Sequence, residues 1–144
     1  MSESLRVAPL ASSLVCNPLV SEWPALMRRR PNLLIKGPRE ATHAVVLALT
    51  PSFRLPIRRV ACDARLSLPP AGGTLMLDDV EVLDGQQQET LLLWLDEYSH
   101  TAIQVISLTP AALYTHVQAG TFLNALYYRL NVIYVEVGAV RTEQ

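Results

Sequence analysis

The sequence predicts an α/β fold in which helices pack on both faces of a parallel sheet. Apolar runs of strand length alternate with helical patterns, and this alternation is typical of strand–helix–strand crossover units. The run that follows Gly72-Gly73 is mostly apolar, as in a strand buried on both faces of a parallel sheet. Asp84 and Gln87 then have the spacing of a capping box, which indicates the start of a helix.

The predicted elements follow one another with short connections. Five strands are expected within 31–38, at 57–62, in the run after Gly73, at 102–108 and at 131–137. Four helices are expected at 40–49, from 84 to about 98, as a short helix opened by Pro110, and at 120–130. Residues 1–30 are expected to form an irregular N-terminal arm, with a short helical turn around 22–29, packed on a core domain of residues 31–144.

The composition indicates one globular domain that does not bind nucleic acids directly. The 144 residues are half hydrophobic and carry 12 basic and 13 acidic side chains, for a formal net charge of −1. No positive excess is available to neutralise phosphates. The basic runs 28–30 and 58–59 are therefore expected to be solvated flanks of helices or strands.

Cysteine content and hydropathy predict a soluble protein of the cytoplasm. Cys16 and Cys62 lie far apart and have neither disulfide-framework nor metal-ligand spacing, so both are expected to be free thiols in a reducing compartment. No apolar run approaches the length of a membrane span, and the N-terminus lacks a basic region followed by an apolar one. A membrane location is therefore not expected.

Two adjacent carboxylates, Asp78 and Asp79, follow the predicted third strand. In parallel sheets, ligands bind at the carboxyl ends of the strands. In nucleotide-hydrolysing folds, one carboxylate at this place holds Mg²⁺ and its neighbour orients the attacking water. The alternative is a strand end followed by a solvated acidic turn, and the spacing alone leaves both open.

Two stretches carry a resemblance to a known family. They are Gly-Gly-Thr-Leu-Met-Leu-Asp-Asp at 72–79 and Leu-Tyr-Tyr-Arg-Leu-Asn-Val at 126–132. The chain resembles the AAA+ core of bacterial sigma-54-dependent transcription activators over roughly 31–141, where the family reads Gly-Gly-Thr-Leu-Phe-Leu-Asp-Glu and Leu-Tyr-Tyr-Arg-Leu-Asn-Val. The resemblance implies a three-layer, P-loop NTPase-like core with a five-stranded parallel sheet in the order 5-1-4-3-2. Family members are hexameric ATPases that remodel the sigma-54 polymerase.

The phosphate-binding loop of that family is degenerate here. The family pattern Gly-x-x-x-x-Gly-Lys-[Ser/Thr/Glu] falls on 37–44, where only Gly37 is kept. Thr42 replaces a glycine, and a β-branched residue at positive φ is strained. His43 replaces the lysine that reaches the phosphates, and Arg39 is a weak substitute for it. The resemblance thus leaves a vestigial nucleotide loop; no cofactor is expected, and ATP or Mg²⁺ should bind weakly at best.

The catalytic positions are also incomplete. Asp78 matches the Mg²⁺-associated aspartate and is the weak metal candidate, whereas Asp79 stands in place of a glutamate one methylene longer. A misplacement of roughly an ångström can lower a rate about 10²-fold. Pro110 falls where the family has a polar sensor asparagine, and its side chain neither donates nor accepts a hydrogen bond. No catalytic set is intact, so the resemblance implies a pseudo-ATPase.

Two segments of the family are missing, and one functional position is kept. Nine residues separate Cys62 from Gly72 where the family inserts its sigma-54-contacting Gly-Ala-Phe-Thr-Gly-Ala loop, and the helical lid expected after 141 is absent from the sequence. Arg129 matches one of the two arginine fingers that act on ATP in a neighbouring subunit, whereas the other is Leu123. The alternative is that 126–131 packs the last helix on the sheet and that Arg129 caps its C-terminal end.

These observations predict an inactive AAA+-like regulatory or interaction protein that modulates transcription by binding an intact sigma-54 activator. One alternative is a weak ATP-binding protein or ATPase completed by a partner subunit, and another is an ATP-independent scaffold dimer. A homo-oligomer is expected because apolar surface normally covered by the lid and the insertion needs a partner. Neither nucleic acid nor membrane is an expected direct partner.

Overall fold

The computed structural model describes residues 3–7, 25, 28–63, 65–69, 72–98 and 102–138. Within these residues the strands are β1 Glu3–Val7, β2 Leu33–Lys36, β3 Ile57–Ala61, β4 Gly73–Asp78, β5 Ile103–Thr109 and β6 Ile133–Val137. The α-helices are α1 Arg39–Leu49, α2 Gly85–Glu97, α3 Leu113–Gln118 and α4 Asn124–Leu130. Helices follow β2, β4 and β5, as the sequence predicts, whereas the described residues between β3 and β4 contain no helix.

All neighbouring strands in the sheet are parallel, in the order β1-β6-β2-β5-β4-β3. Counted from β2, the five predicted strands lie in the order 5-1-4-3-2, which confirms the predicted topology. The sixth strand, β1, was not predicted. It pairs with β6 from Glu3 opposite Ile133 to Val7 opposite Val137.

The prediction of an irregular N-terminal arm is therefore wrong for residues 3–7, which form a strand. Without β1, strand β6 would present its backbone N–H and C=O groups at the sheet edge, and a short parallel strand satisfies them. The helical turn predicted around 22–29 lies largely outside the described residues, although Ala25 and Arg28 within it are helical.

Helices cover both faces of the sheet, which confirms the three-layer prediction. Consecutive strand residues point to opposite faces, so Leu33 and Leu34 belong to different apolar clusters. One cluster joins α1 to the sheet and includes Leu33, Ile35, Val45, Val46, Met76, Ile106 and Val135. The other joins α2, α3 and α4 to the opposite face and includes Leu34, Leu75, Leu77, Leu91, Leu113, Leu126 and Leu130.

Helix α2 begins at its predicted place, whereas the boundaries of α3 and α4 differ from the predictions. The side chain of Asp84 accepts from the Gln87 N–H and the Gln87 side chain accepts from the Asp84 N–H, so the capping box is formed. Pro110 does not open α3, because the Thr109 hydroxyl oxygen accepts from the N–H of Ala111, 3.1 Å away, in an intervening turn. No helix of the described residues is both long enough and apolar enough to cross a membrane.

The short connection between β3 and β4 covers part of α2. Leu66 and Leu68 pack against the apolar cluster on that face, and the indole N–H of Trp94 donates to the carbonyl oxygen of Pro69, 2.9 Å away. Apolar surface beside the shortened segment is thus buried by the chain itself. The homo-oligomer expected from such surface stays a prediction.

Candidate functional site

A small crevice lies at the carboxyl ends of β2, β4 and β5. It is lined by Gly37, Arg39, Thr42, His43, Asp78, Asp79, Leu108, Thr109 and Pro110. The vestigial loop, the acidic pair and the sensor position come from separate parts of the chain, and the structure brings all three together. Parallel strands place their carboxyl ends at one edge of the sheet, which is why residues so distant in sequence meet there.

The segment that matches the phosphate loop forms a tight turn followed by helix. Pro38 is the N-cap and α1 begins at Arg39, with the N–H groups of Ala41 and Thr42 both donating to the Pro38 carbonyl at 2.9 Å. The predicted strain at Thr42 is wrong, because this residue lies inside the first turns of a helix and its hydroxyl donates to the Arg39 carbonyl at 3.0 Å. Little backbone remains between β2 and α1 to surround a phosphate.

Gly37 lies too close to the end of β6 to carry a side chain. A Cβ atom on Gly37 would lie 2.5 Å from the carbonyl oxygen of Val137 at the end of β6. Such contact is far inside van der Waals distance, so a side chain here would separate two neighbouring strands. Packing against β6 therefore favours glycine at this position, whether or not a phosphate binds.

Asp78 is held by an arginine of the adjacent strand. The Nε of Arg59 is 2.6 Å from Oδ2 of Asp78, and its Nη2 is 3.0 Å from Oδ1, a bidentate arrangement. The same Nη2 is 2.7 Å from Nε2 of His43. The hydrogen bond to Asp78 raises the pKa of Arg59. Both carboxylate oxygens of Asp78, the candidate metal ligand, therefore accept hydrogen bonds from the same chain.

Arg59 is a site residue that the sequence analysis missed, since it was expected to be a solvated flank. In the register of β3 and β4, Ala61 lies opposite Asp78, so Arg59 is the diagonal neighbour of Asp78 on the same face. Diagonal pairs of this kind are within reach of long side chains. The sequence did contain a signal for this pair. Arg59 lies two residues before the end of β3, and the neighbouring strand β4 ends in an aspartate.

Asp79 is held by the other arginine of the crevice. Its backbone is left-handed, with φ 58° and ψ 55°, a conformation in which aspartate is enriched among non-glycine residues. Nη2 of Arg39 lies 3.0 Å from Oδ2 of Asp79, and this hydrogen bond raises the pKa of Arg39. Arg39, expected as a substitute for the phosphate-binding lysine, is therefore paired with a carboxylate.

The crevice does not fit a magnesium nucleotide as its residues are arranged. Phosphates need a loop of free N–H groups and a nearby cation, and Mg²⁺ needs open carboxylate oxygens. Here α1 begins at Arg39, and both carboxylates are paired with arginines. The cavity is about 10 Å³, close to the space of one water molecule. Among the described residues, no three His, Cys, Asp or Glu side chains are grouped to hold a metal.

Arg129 lies in the last turn of α4, away from the crevice. Its Nη1 donates to Oδ1 of Asp96 on α2, and its backbone carbonyl accepts from Nδ2 of Asn32 at 3.0 Å. The side chains of Arg129 and Asp96 are 36% and 59% exposed. The contact joins two helices at the surface, so the described partner of the guanidinium is a carboxylate of α2 and not the end of its own helix.

Packing accounts for part of the stretch that contains Arg129. Leu126, Tyr127, Leu130 and Asn131 are buried, and Nδ2 of Asn131 donates to the Tyr127 hydroxyl at 3.0 Å. Tyr128 is 51% exposed, with its ring edge-on to that of Tyr127. The interpretation that residues 126–131 only pack the last helix on the sheet is therefore wrong for Tyr128. This side chain lies at the surface, and Arg129 is the next residue.

A buried glutamine sets the position at which α4 begins. Gln88 of α2 donates from Nε2 to the carbonyls of Leu83 and Thr121, both at 2.9 Å, and accepts from the N–H of Leu123 at 2.7 Å. The bonds to Thr121 and Leu123 satisfy backbone groups of the turn before α4, and the bond to Leu83 satisfies one before α2. Gln88 thereby connects α2 to the segment that carries Arg129.

Cys62 should react with thiol reagents far more slowly in the folded protein than in the unfolded chain. It is free, as predicted, whereas Cys16 lies outside the described residues. Burial, and secondarily the carboxylate of Asp78, raise the pKa of Cys62 from 9.0 to about 12. Since the thiolate is the nucleophile, its fraction at pH 8 falls on the order of 10³-fold. Peptide mapping after iodoacetamide treatment reads each cysteine separately, and equal labelling of Cys62 with and without urea would contradict the prediction.

Comparisons with known proteins agree with this fold. Residues 57–140 match a family model described as the sigma-54 interaction domain. Structures of NtrX from Brucella abortus in complex with ATP and with ADP are similar to this chain at 21% identity and a TM-score of 0.67, covering 90% of it. A further NtrX structure has 18% identity and a TM-score of 0.58 over 85% of this chain. This chain covers 36%, 37% and 36% of the NtrX chain in those three structures, and no curated protein sequence matches it.

Proposed function

The chain belongs to the sigma-54 interaction domain family, and we propose that it is a catalytically inactive member that acts by binding another protein. One observation carries the proposal: each of the two adjacent carboxylates in the crevice is paired with an arginine of the same chain. A guanidinium that hydrogen-bonds a carboxylate competes with a metal ion or an attacking water for the same oxygens. The early start of α1 at Arg39 adds to this, because it removes the loop that would bind phosphates.

The partner we propose is an intact sigma-54 activator. The family match supports this, because family members resembling this chain assemble with one another, and Arg129 stands where such proteins carry a finger for the neighbouring nucleotide. The ion pair with Asp96 is compatible with Arg129 acting on the nucleotide of a neighbouring subunit. Both side chains are more than a third exposed, and exposed pairs contribute about 1 kcal/mol or less, about fivefold in an equilibrium. Phosphate oxygens bind a guanidinium in a stronger, bidentate manner.

The proposed effect on the activator is inhibition. A mixed assembly would contain a subunit whose β3-to-β4 connection lacks the sigma-54-contacting loop of the family, since only nine residues separate Cys62 from Gly72. Such a subunit supplies Arg129 to its neighbour but makes no corresponding contact with sigma-54. Open-complex formation should therefore fall with increasing amounts of this protein, even where ATP hydrolysis continues.

The isolated protein should show no ATP turnover above background and at most millimolar affinity for ATP. That affinity corresponds to a binding free energy of about −4 kcal/mol. Isothermal titration calorimetry with Mg-ATP, together with a phosphate-release assay, measures both quantities. Micromolar binding that Asp78→Ala abolishes would overturn the proposal and favour a weak ATPase completed by a partner subunit.

A further inference from the structure

We infer that Arg59 is a built-in cation that takes the place of a metal ion at Asp78, and that it and His43 form one interdependent unit. The inference concerns how the crevice is held together and does not depend on whether the protein regulates an activator. It follows from the geometry of three side chains contributed by three elements. These are Arg59 from β3, Asp78 from β4 and His43 from α1.

The guanidinium occupies the two carboxylate oxygens at which a divalent ion would bind. Its Nε and Nη2 lie 2.6 and 3.0 Å from Oδ2 and Oδ1 of Asp78. The Asp78 side chain is only 16% exposed, so its charge is largely removed from water and needs a positive partner. Arg59 supplies that charge permanently, because arginine does not lose its proton in proteins.

His43 contacts the same guanidinium, and this contact determines whether Nε2 of the imidazole donates or accepts. Arginine has only donors, so Nε2 of His43, 2.7 Å from Nη2 of Arg59, must accept and carries no proton. A neutral imidazole suits this contact, whereas the lysine of the family pattern would place an ammonium beside a guanidinium. Like charges this close repel strongly in a partly buried site. The change from lysine to His43 and the presence of Arg59 are therefore coupled.

The hydrogen bonds of Arg59 also connect the edge strand β3 to the rest of the fold. Strand β3 pairs only with β4 among the described strands, and β3 itself is largely exposed. The bonds of Arg59 to Asp78 and His43 connect β3 to β4 and to α1 on one face. Loss of Arg59 would leave Asp78 without its cation and β3 without this hydrogen bond to α1, while the carboxylate oxygens would become open to Mg²⁺.

The test compares thermal unfolding of the full chain in wild type, Arg59→Ala and Arg58→Ala, each with and without 10 mM MgCl2. Arg58 is the matched control, because it is the preceding residue of β3, is exposed, and points to the opposite face. NaCl of equal ionic strength controls for screening. We expect the melting temperature to fall by roughly 5 °C in Arg59→Ala and by about 1 °C or less in Arg58→Ala.

Magnesium should distinguish the variants. It should raise the melting temperature of Arg59→Ala by roughly 3 °C, leave wild type unchanged, and lose its effect in Arg59→Ala/Asp78→Asn. His43→Lys should lower the melting temperature by several degrees in wild type, and by much less when Arg59 is also alanine. Equal melting of the two arginine variants, or equal magnesium shifts in wild type and Arg59→Ala, would overturn the inference.

One measurement needs no variant and therefore stands even if Arg59→Ala does not fold. Calorimetric titration of wild type with MgCl2 should give no saturable binding up to about 10 mM, because the oxygens of Asp78 are already engaged. Saturable binding of Mg²⁺ to wild type at lower concentration would show that Arg59 does not hold that position.

Discussion

Replacing Arg129 by alanine in a mixed assembly with an intact sigma-54 activator should lower ATP hydrolysis at the shared site on the order of 10³-fold. A finger supplied in trans neutralises the charge that develops on the transferred phosphoryl group, and alanine cannot do so. Arg129 is accessible for this task because its pair with Asp96 is exposed and weak. The measurement is a titration of the protein into an activator, with ATPase rate and open-complex formation recorded in parallel.

Asp96 supplies the control for that experiment. Asp96→Asn removes the internal partner of Arg129 and leaves the finger, so hydrolysis at the shared site should stay equal or rise by up to about fivefold. Open-complex formation should be reduced by wild type and by both variants, since each lacks the sigma-54-contacting loop. Absence of co-purification, with identical curves for buffer, wild type and Arg129→Ala, would refute the role in trans and leave Arg129 as a surface contact between α2 and α4.

Gly73→Ala should destabilise the protein by about 3 kcal/mol or more. Gly73 begins β4 with φ +78°, and a Cβ atom there would lie 2.2 Å from the carbonyl oxygen of Pro56. That carbonyl also accepts from the N–H of Thr74 at 3.0 Å, so it cannot move aside without loss of a bond. Chemical denaturation followed by circular dichroism measures the free energy of unfolding.

Gly72→Ala separates the cost of the left-handed backbone from the cost of the close contact with Pro56. Gly72 has a similar φ of +84°, but a Cβ atom on it would meet nothing within 4 Å. Its replacement should therefore cost only the left-handed backbone penalty, about 1 to 2 kcal/mol. If both alanine variants unfold at the same denaturant concentration, the close approach to Pro56 contributes nothing to stability.

From β2 to β6, local pattern in the sequence predicted which segments became strands and helices. The apolar run after Gly73 is buried, and the spacing of Asp84 and Gln87 gave a capping box as predicted. Such signals are reliable because a buried parallel strand must be apolar on both faces and a helix start must satisfy its own N–H groups. The order of the five strands came from the resemblance to the family and is confirmed.

The edge strand β1 was decided by tertiary structure, because its pairing partner lies far along the chain. Residues 3–7 carry no strong strand pattern, and they pair with β6, whose residues 133–137 offer a free edge. The start of α1 at Arg39 likewise could not be separated from a loop start, since Gly37-Pro38 permits either a long phosphate loop or a tight turn.

Sequence alone determined which chemical groups the crevice contains: two carboxylates, a histidine and a proline. Only the tertiary structure decided which of these groups are already engaged. The engagement depends on the register of β3 against β4, which places Arg59 diagonal to Asp78, and on α1, which brings His43 to the same guanidinium. Ion pairs form between groups that are close in space, and that closeness arises from strand pairing and helix packing, which no local pattern encodes.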